Sequence, residues 1–69
     1  MYDYPKMKQL RESNGISQAN IANVLEITQQ QYQLYESGKR EIHVHLLIKL
    51  ADYYDVSLDY ITGRTEVKQ

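Results

Sequence analysis

No cysteine occurs in the 69 residues, which rules out a disulfide framework and any thiolate metal site. It also fits a reducing compartment. No apolar run approaches the roughly 20 residues that a membrane span needs. The opening Met1-Tyr2-Asp3-Tyr4-Pro5-Lys6 has neither the basic nor the apolar stretch of a secretory signal. The expectation is a soluble, cytoplasmic chain with no membrane partner. A basic excess is missing as well. Net charge is −1 and the sequence pI is about 6.0, whereas nucleic-acid binders usually carry a basic patch. The first forty residues hold Lys6, Lys8, Arg11, Lys39 and Arg40 against Asp3, Glu12, Glu26 and Glu36. The remainder is net acidic, with Lys49, Arg64 and Lys68 against Glu41, Asp52, Asp55, Asp59 and Glu66. Electrostatics alone therefore names no partner.

Length sets a further bound. A chain this short makes one domain, residues 1–69, and buries only about 60% of the surface its unfolded form exposes. A catalytic cleft with a scaffold around it does not fit. There is no Gly-rich phosphate loop, metal-ligand cluster or nucleophile–base–orienter set. The chain is expected to be no enzyme and to need no cofactor or metal.

What is present is helical punctuation. A first helix is expected from about Tyr4 to Ser13, with Tyr4, Met7, Leu10 and Arg11 on one side, and Gly15 can close it in the left-handed conformation. Ser17 suits an N-cap, and Ile21, Ala22 and Leu25 then recur at helical spacing. Thr28 opens a third helix and forms a capping box with Gln31, and Gly38 stops it. From Val44 to Tyr54, Leu47, Leu50, Ala51 and Tyr54 follow the i, i+3, i+4, i+7 pattern of a core-facing helix. Ser57 caps a last short helix, Leu58 to Thr62, ended by Gly63, and Arg64 to Gln69 are expected to be a flexible tail. No strand alternation, repeat or linker is visible. The expected class is all-α.

Two short helices joined by a three- or four-residue turn meet at a steep angle. Residues 18–37 meet the demands of that geometry. Ala22 is small where the helices would touch, and Ile21, Leu25, Ile27, Tyr32 and Tyr35 can fill the wedge. At about 100° per residue, Thr28, Tyr32 and Tyr35 share one side of the third helix. Gln29, Gln30, Gln33, Leu34 and Ser37 share the other. That outward face is rich in amides and uncharged. It suits base edges, because Gln pairs bidentately with adenine, and Leu34 suits a thymine methyl.

From Met7 to Arg64, about four-fifths of its length, the chain resembles the phage-repressor-like helix-turn-helix family, the XRE-type regulators related to the lambda repressor and Cro. The resemblance is carried by Leu10-Arg11, Gly15-Ile16-Ser17-Gln18, Ala22, Tyr35-Glu36-Ser37-Gly38-Lys39-Arg40, and Leu50-Ala51-Asp52-Tyr53-Tyr54 with Val56-Ser57-Leu58-Asp59-Tyr60. It implies a compact five-helix, lambda-repressor-like domain that binds double-stranded DNA, as a transcriptional regulator of prokaryotic or phage repressor type. It implies that Gln18 meets a phosphate. Thr28, Gln29, Gln30, Gln33 and Leu34 would face the major groove, and Lys39 and Arg40 would hold the backbone, positioning without specifying sequence. It also implies a salt bridge between Arg11 and Glu36. A single module buries roughly 600–1,000 Å² on DNA, so a homodimer on a palindromic operator is expected, with Tyr53, Leu58, Tyr60 and Ile61 as its contact. Three residues depart from the family pattern: Glu26 where the turn usually carries glycine, Tyr32 in place of an aliphatic residue, and His43 in place of a proline.

Plainer readings stand beside these. The Gln29-Gln30-Gln31 run can be a solvated face, and Gln31 is better explained as a capping residue. The seven tyrosines could stack on single strands, although Tyr32, Tyr35 and Tyr54 fall at core spacing. His43 and His45 lack a third ligand nearby and read as surface. Lys6, Lys8 and Arg11 can be a phosphate-facing stripe or ordinary surface charge. The competing function is a protein-interaction module, an antitoxin or regulatory adaptor that keeps the fold with weak or no DNA binding.

Overall fold

The computed structural model describes residues 4–65. Five helices follow one another: α1 (Pro5–Ser13), α2 (Gln18–Leu25), α3 (Gln29–Glu36), α4 (Val44–Tyr54) and α5 (Leu58–Ile61). No strand occurs among the described residues. α2 packs on α3, α1 on α3 and α5, and α4 on α2 and α5.

Starts and stops explain why the helices fall where they do. Pro5 sits in the first turn of α1, where its missing N–H is no loss. The side-chain oxygens of Ser17, Thr28 and Ser57 accept from the amides of Asn20, Gln31 and Tyr60 at 3.0–3.1 Å, capping α2, α3 and α5. The reciprocal half of the capping box at Thr28 does not form. Gln31 instead donates its side-chain amide to the Tyr35 hydroxyl, 2.9 Å away and one turn along.

All five helices end in one way. A left-handed residue is followed by an amide that bonds back to a carbonyl five residues earlier: Ile16 to Arg11, Ile27 to Ala22, Lys39 to Leu34, Val56 to Ala51 and Arg64 to Asp59. The left-handed residue is glycine at 15, 38 and 63, but Glu26 (φ 61°) after α2 and Asp55 (φ 57°) after α4. Ile16, Ile27 and Val56, each just past such a residue, pack against the core. Turn chemistry and core packing thus use adjacent positions.

The core takes residues from every helix, with Met7, Ile21, Tyr32, Leu50 and Ile61 fully enclosed. Here the structure corrects one expectation. Tyr60 is 8% exposed and Ile61 0%, so neither belongs to a contact surface. The physical reason is that α1 and α4 both pack on α5, which turns two of its four residues inward. Tyr53 (49%) and Leu58 (37%) remain exposed. Residues 66–69 of the expected tail lie outside the described residues.

Candidate nucleic-acid interface

The α2–turn–α3 unit is built around Ala22, 1% exposed. Ile21, Leu25, Tyr32 and Tyr35 are buried about it, and Ile27 is half-buried. With that side of α3 committed to the core, Gln29, Gln30, Gln33 and Ser37 are left exposed, as is Thr28 at the cap. Leu34 is only half-buried, and Lys39 and Arg40 are exposed just past the helix. The backbone amides of both cations bond to the Leu34 carbonyl, at 3.0 and 3.2 Å. That bonding fixes where the two side chains leave the fold.

Behind this face lies a carboxylate with four donors. Glu36 Oε2 accepts from Arg11 Nε at 2.9 Å and from the Tyr32 hydroxyl at 2.7 Å. Glu36 Oε1 accepts from Arg11 Nη2 at 3.0 Å and from Gln18 Nε2 at 3.2 Å. Arg11 Nη1 also donates to the Ile16 carbonyl at 2.9 Å, tying the pair to the α1–α2 turn. The Glu36 side chain is only 5% exposed and that of Arg11 12%. Burial pushes the Glu36 carboxyl up, but the bonds from Arg11, Tyr32 and Gln18 outweigh it and hold the group below the ordinary carboxylate value. The bond to Glu36 raises the Arg11 guanidinium against its desolvation. Burial, then the bond to Glu36, keeps the Tyr32 hydroxyl far above the ordinary tyrosine value. Glu36 therefore stays ionised and Tyr32 stays a donor at neutral pH.

Lys8, Gln18, Gln33, Glu36 and Ser37 line a depression of about 210 Å³ between α1, α2 and α3. The stripe of Lys6, Lys8 and Arg11 is dispersed by the fold. Arg11 is spent on Glu36, and Lys6 Nζ lies 5.1 Å from the centre of the Tyr60 ring, in cation–π range. Lys8 alone of the three borders the face. Glu26 is exposed, with Lys49 Nζ 3.7 Å from its Oε2, so its charge is partly countered from α4. The rings of His43 and His45 stack 5.5 Å apart, both residues exposed, and the described residues hold no group of three metal-ligating side chains.

The model for the family described as helix-turn-helix matches residues 7–61. The chain belongs to that family. It is 40% identical over 55 residues to the uncharacterized HTH-type transcriptional regulator YqaE of Bacillus subtilis (strain 168), covering 80% of this chain and 47% of that protein. It is 38% identical over 63 residues to the SPbeta prophage-derived uncharacterized HTH-type transcriptional regulator YonR, covering 91% and 58%. With the HTH-type transcriptional regulator ImmR it shares 33% over 64 residues, covering 93% and 50%. Both of these are also from Bacillus subtilis (strain 168). The helix-turn-helix chain thus spans about half the length of these curated relatives. No solved structure matches it.

Sequence reasoning placed the exposed glutamines and the partners of the ion pair, but missed two donors to Glu36. Tyr32 and Glu36 are four apart on one helix, a spacing that brings side chains together. A tyrosine at a core position reads as apolar, and its hydroxyl goes uncounted. The bond from Gln18 joins α2 to α3 and has no local signature.

Proposed function

We propose that this helix-turn-helix domain is a sequence-specific, double-stranded-DNA-binding transcriptional regulator of repressor type. The reading is carried by the exposed, uncharged amide face of α3, Thr28-Gln29-Gln30 with Gln33, on a family helix-turn-helix. In this reading α3 enters the major groove, where Gln29, Gln30 and Gln33 pair with base edges and Leu34 lies against a thymine methyl. Gln18, Lys39 and Arg40 hold phosphates. The relatives named as transcriptional regulators support the class. In this reading two copies of the domain, whose longest extent is 29 Å, set their α3 helices into half-sites about one helical turn (~34 Å) apart. Exposed Tyr53 and Leu58 are the contact we assign to that homodimer, on a palindromic operator.

A gel-shift titration on a duplex selected from a random pool tests the reading. Replacing Gln29 and Gln30 together by Ala should abolish discrimination between the selected and a scrambled duplex. Unchanged affinity and discrimination would remove α3 as the reading element. One observation favours the protein-interaction alternative: Val44 (61% exposed) and Ile48 (46%) form an apolar strip one turn apart on α4. No binding to pooled random duplex at low salt would decide for it.

A further inference from the structure

A phosphate needs a donor, and the Gln18 amide has a donor end and an acceptor end. Nothing on an exposed glutamine decides which end faces outward. Here something does. An ionised carboxylate is an acceptor only, with about four lone-pair sites on its two oxygens. Glu36 fills them with two bonds from Arg11, one from the Tyr32 hydroxyl and one from Gln18 Nε2. Only the NH2 end of Gln18 can make that last bond. The second proton on Nε2 is then free for an outside acceptor at the depression shared with Lys8, Gln33 and Ser37.

We propose that Glu36, held by Arg11 and Tyr32, is a positioning residue that turns the NH2 end of the Gln18 amide toward a DNA phosphate. The inference rests on the reading of Gln18 as a phosphate contact. It also explains how a carboxylate can wall a depression meant for an anion. A bidentate Arg11 offsets its charge, and its lone pairs are directed into donors rather than outward. Turned the other way, Gln18 would set its carbonyl oxygen against both Glu36 and the phosphate. Tyr32 is what an aliphatic residue cannot replace. Its hydroxyl takes a lone pair of Oε2 and helps to fix the carboxylate whose Oε1 receives Gln18. Fixing the amide before DNA arrives also removes rotamer freedom that binding would otherwise have to quench.

A double-mutant cycle read in duplex affinity tests this, using a duplex that the wild-type protein selects from a random pool. Tyr32→Phe should weaken binding about three- to tenfold, the scale of one immobilised side chain. Combined with Gln18→Ala it should add nothing to the loss from Gln18→Ala alone. Additive losses, or an unchanged Kd in a folded Tyr32→Phe protein, would overturn the proposal and leave the DNA reading standing. A wild-type protein that selects no duplex overturns both. In case Tyr32→Phe does not fold, the side-chain amide resonances of the DNA-free wild-type protein decide. One Gln18 Nε2 proton should exchange with solvent at least several-fold more slowly than those of exposed Gln29 and Gln30. Equal rates would show that Glu36 does not hold the amide.

Discussion

Glu26 and Tyr54 are residues whose local chemistry opposes the fold that contains them. Glu26 ends α2 at φ 61°, ψ 40°, a conformation that costs a residue with a Cβ about 1–2 kcal/mol. Its ion pair with Lys49 is exposed at both ends and returns at most about 1 kcal/mol. Glu26→Gly should therefore stabilise the domain by roughly 0.5–1 kcal/mol, after allowing for glycine's freer unfolded chain, as measured by urea unfolding. The Tyr54 hydroxyl is buried with no hydrogen-bond partner among the described residues. Burial pushes its pKa up to about 12. Tyr54→Phe removes the stranded group and should raise stability by about 1 kcal/mol. It should also reduce the loss of stability above pH 10. The sign follows because a raised folded pKa gives a contribution present below the unfolded value of about 10 and lost as pH climbs through the folded one. Thermal melts from pH 7 to 11 on both proteins measure it.

Between elements, the Arg11–Glu36 pair is the joint of α1 to α3, and through Gln18 it reaches α2. Its worth lies less in attraction than in what breaking it leaves behind. Arg11→Ala would strand an ionised Glu36 with 5% of its side chain exposed, a loss of about 3–5 kcal/mol. That is comparable to the whole stability of roughly 3–10 kcal/mol expected at this length. Loss of a cooperative melt by circular dichroism is the expected result. The same joint sets the acid limb. Glu36 titrates below its unfolded value of about 4.3. Its contribution is complete above that pH and disappears as pH falls through the folded value. A variant that destabilises elsewhere should keep this acid loss in thermal melts against pH, and one with both Arg11 and Glu36 replaced by apolar residues of similar size should lack it.

At the scale of the whole molecule, the contrast is between the proposed DNA-reading face of α3 and a net charge of −1. Phosphate neutralisation supplies most non-specific affinity, and the face offers few cations: Lys39 and Arg40, with Lys8 at its edge. Affinity should therefore fall gently with salt, with a log–log slope of about −2 to −3 per subunit at roughly −0.9 per phosphate. Lys39→Ala should weaken every duplex alike and reduce that slope by about 1. Titration at several salt concentrations, on selected and scrambled duplexes, checks both statements. In the proposed reading, affinity beyond this comes from base contacts and from pairing two copies.

Local chemistry explains which features were legible in the sequence. Ser17, Thr28 and Ser57 cap helices, glycines close three of them, and the apolar spacing of Val44 to Tyr54 turns α4 inward; each acts over a few residues of chain. So does the side of α3 that carries Gln29, Gln30 and Gln33. Tertiary structure decided what depends on neighbours distant in sequence. It buried Tyr60 and Ile61 by packing α1 and α4 on a four-residue helix. It also brought Arg11 and Gln18 to the carboxylate that Tyr32 meets from one turn away on α3. A hydrogen bond between helices is a matter of three-dimensional reach, and periodicity along one helix carries no information about it.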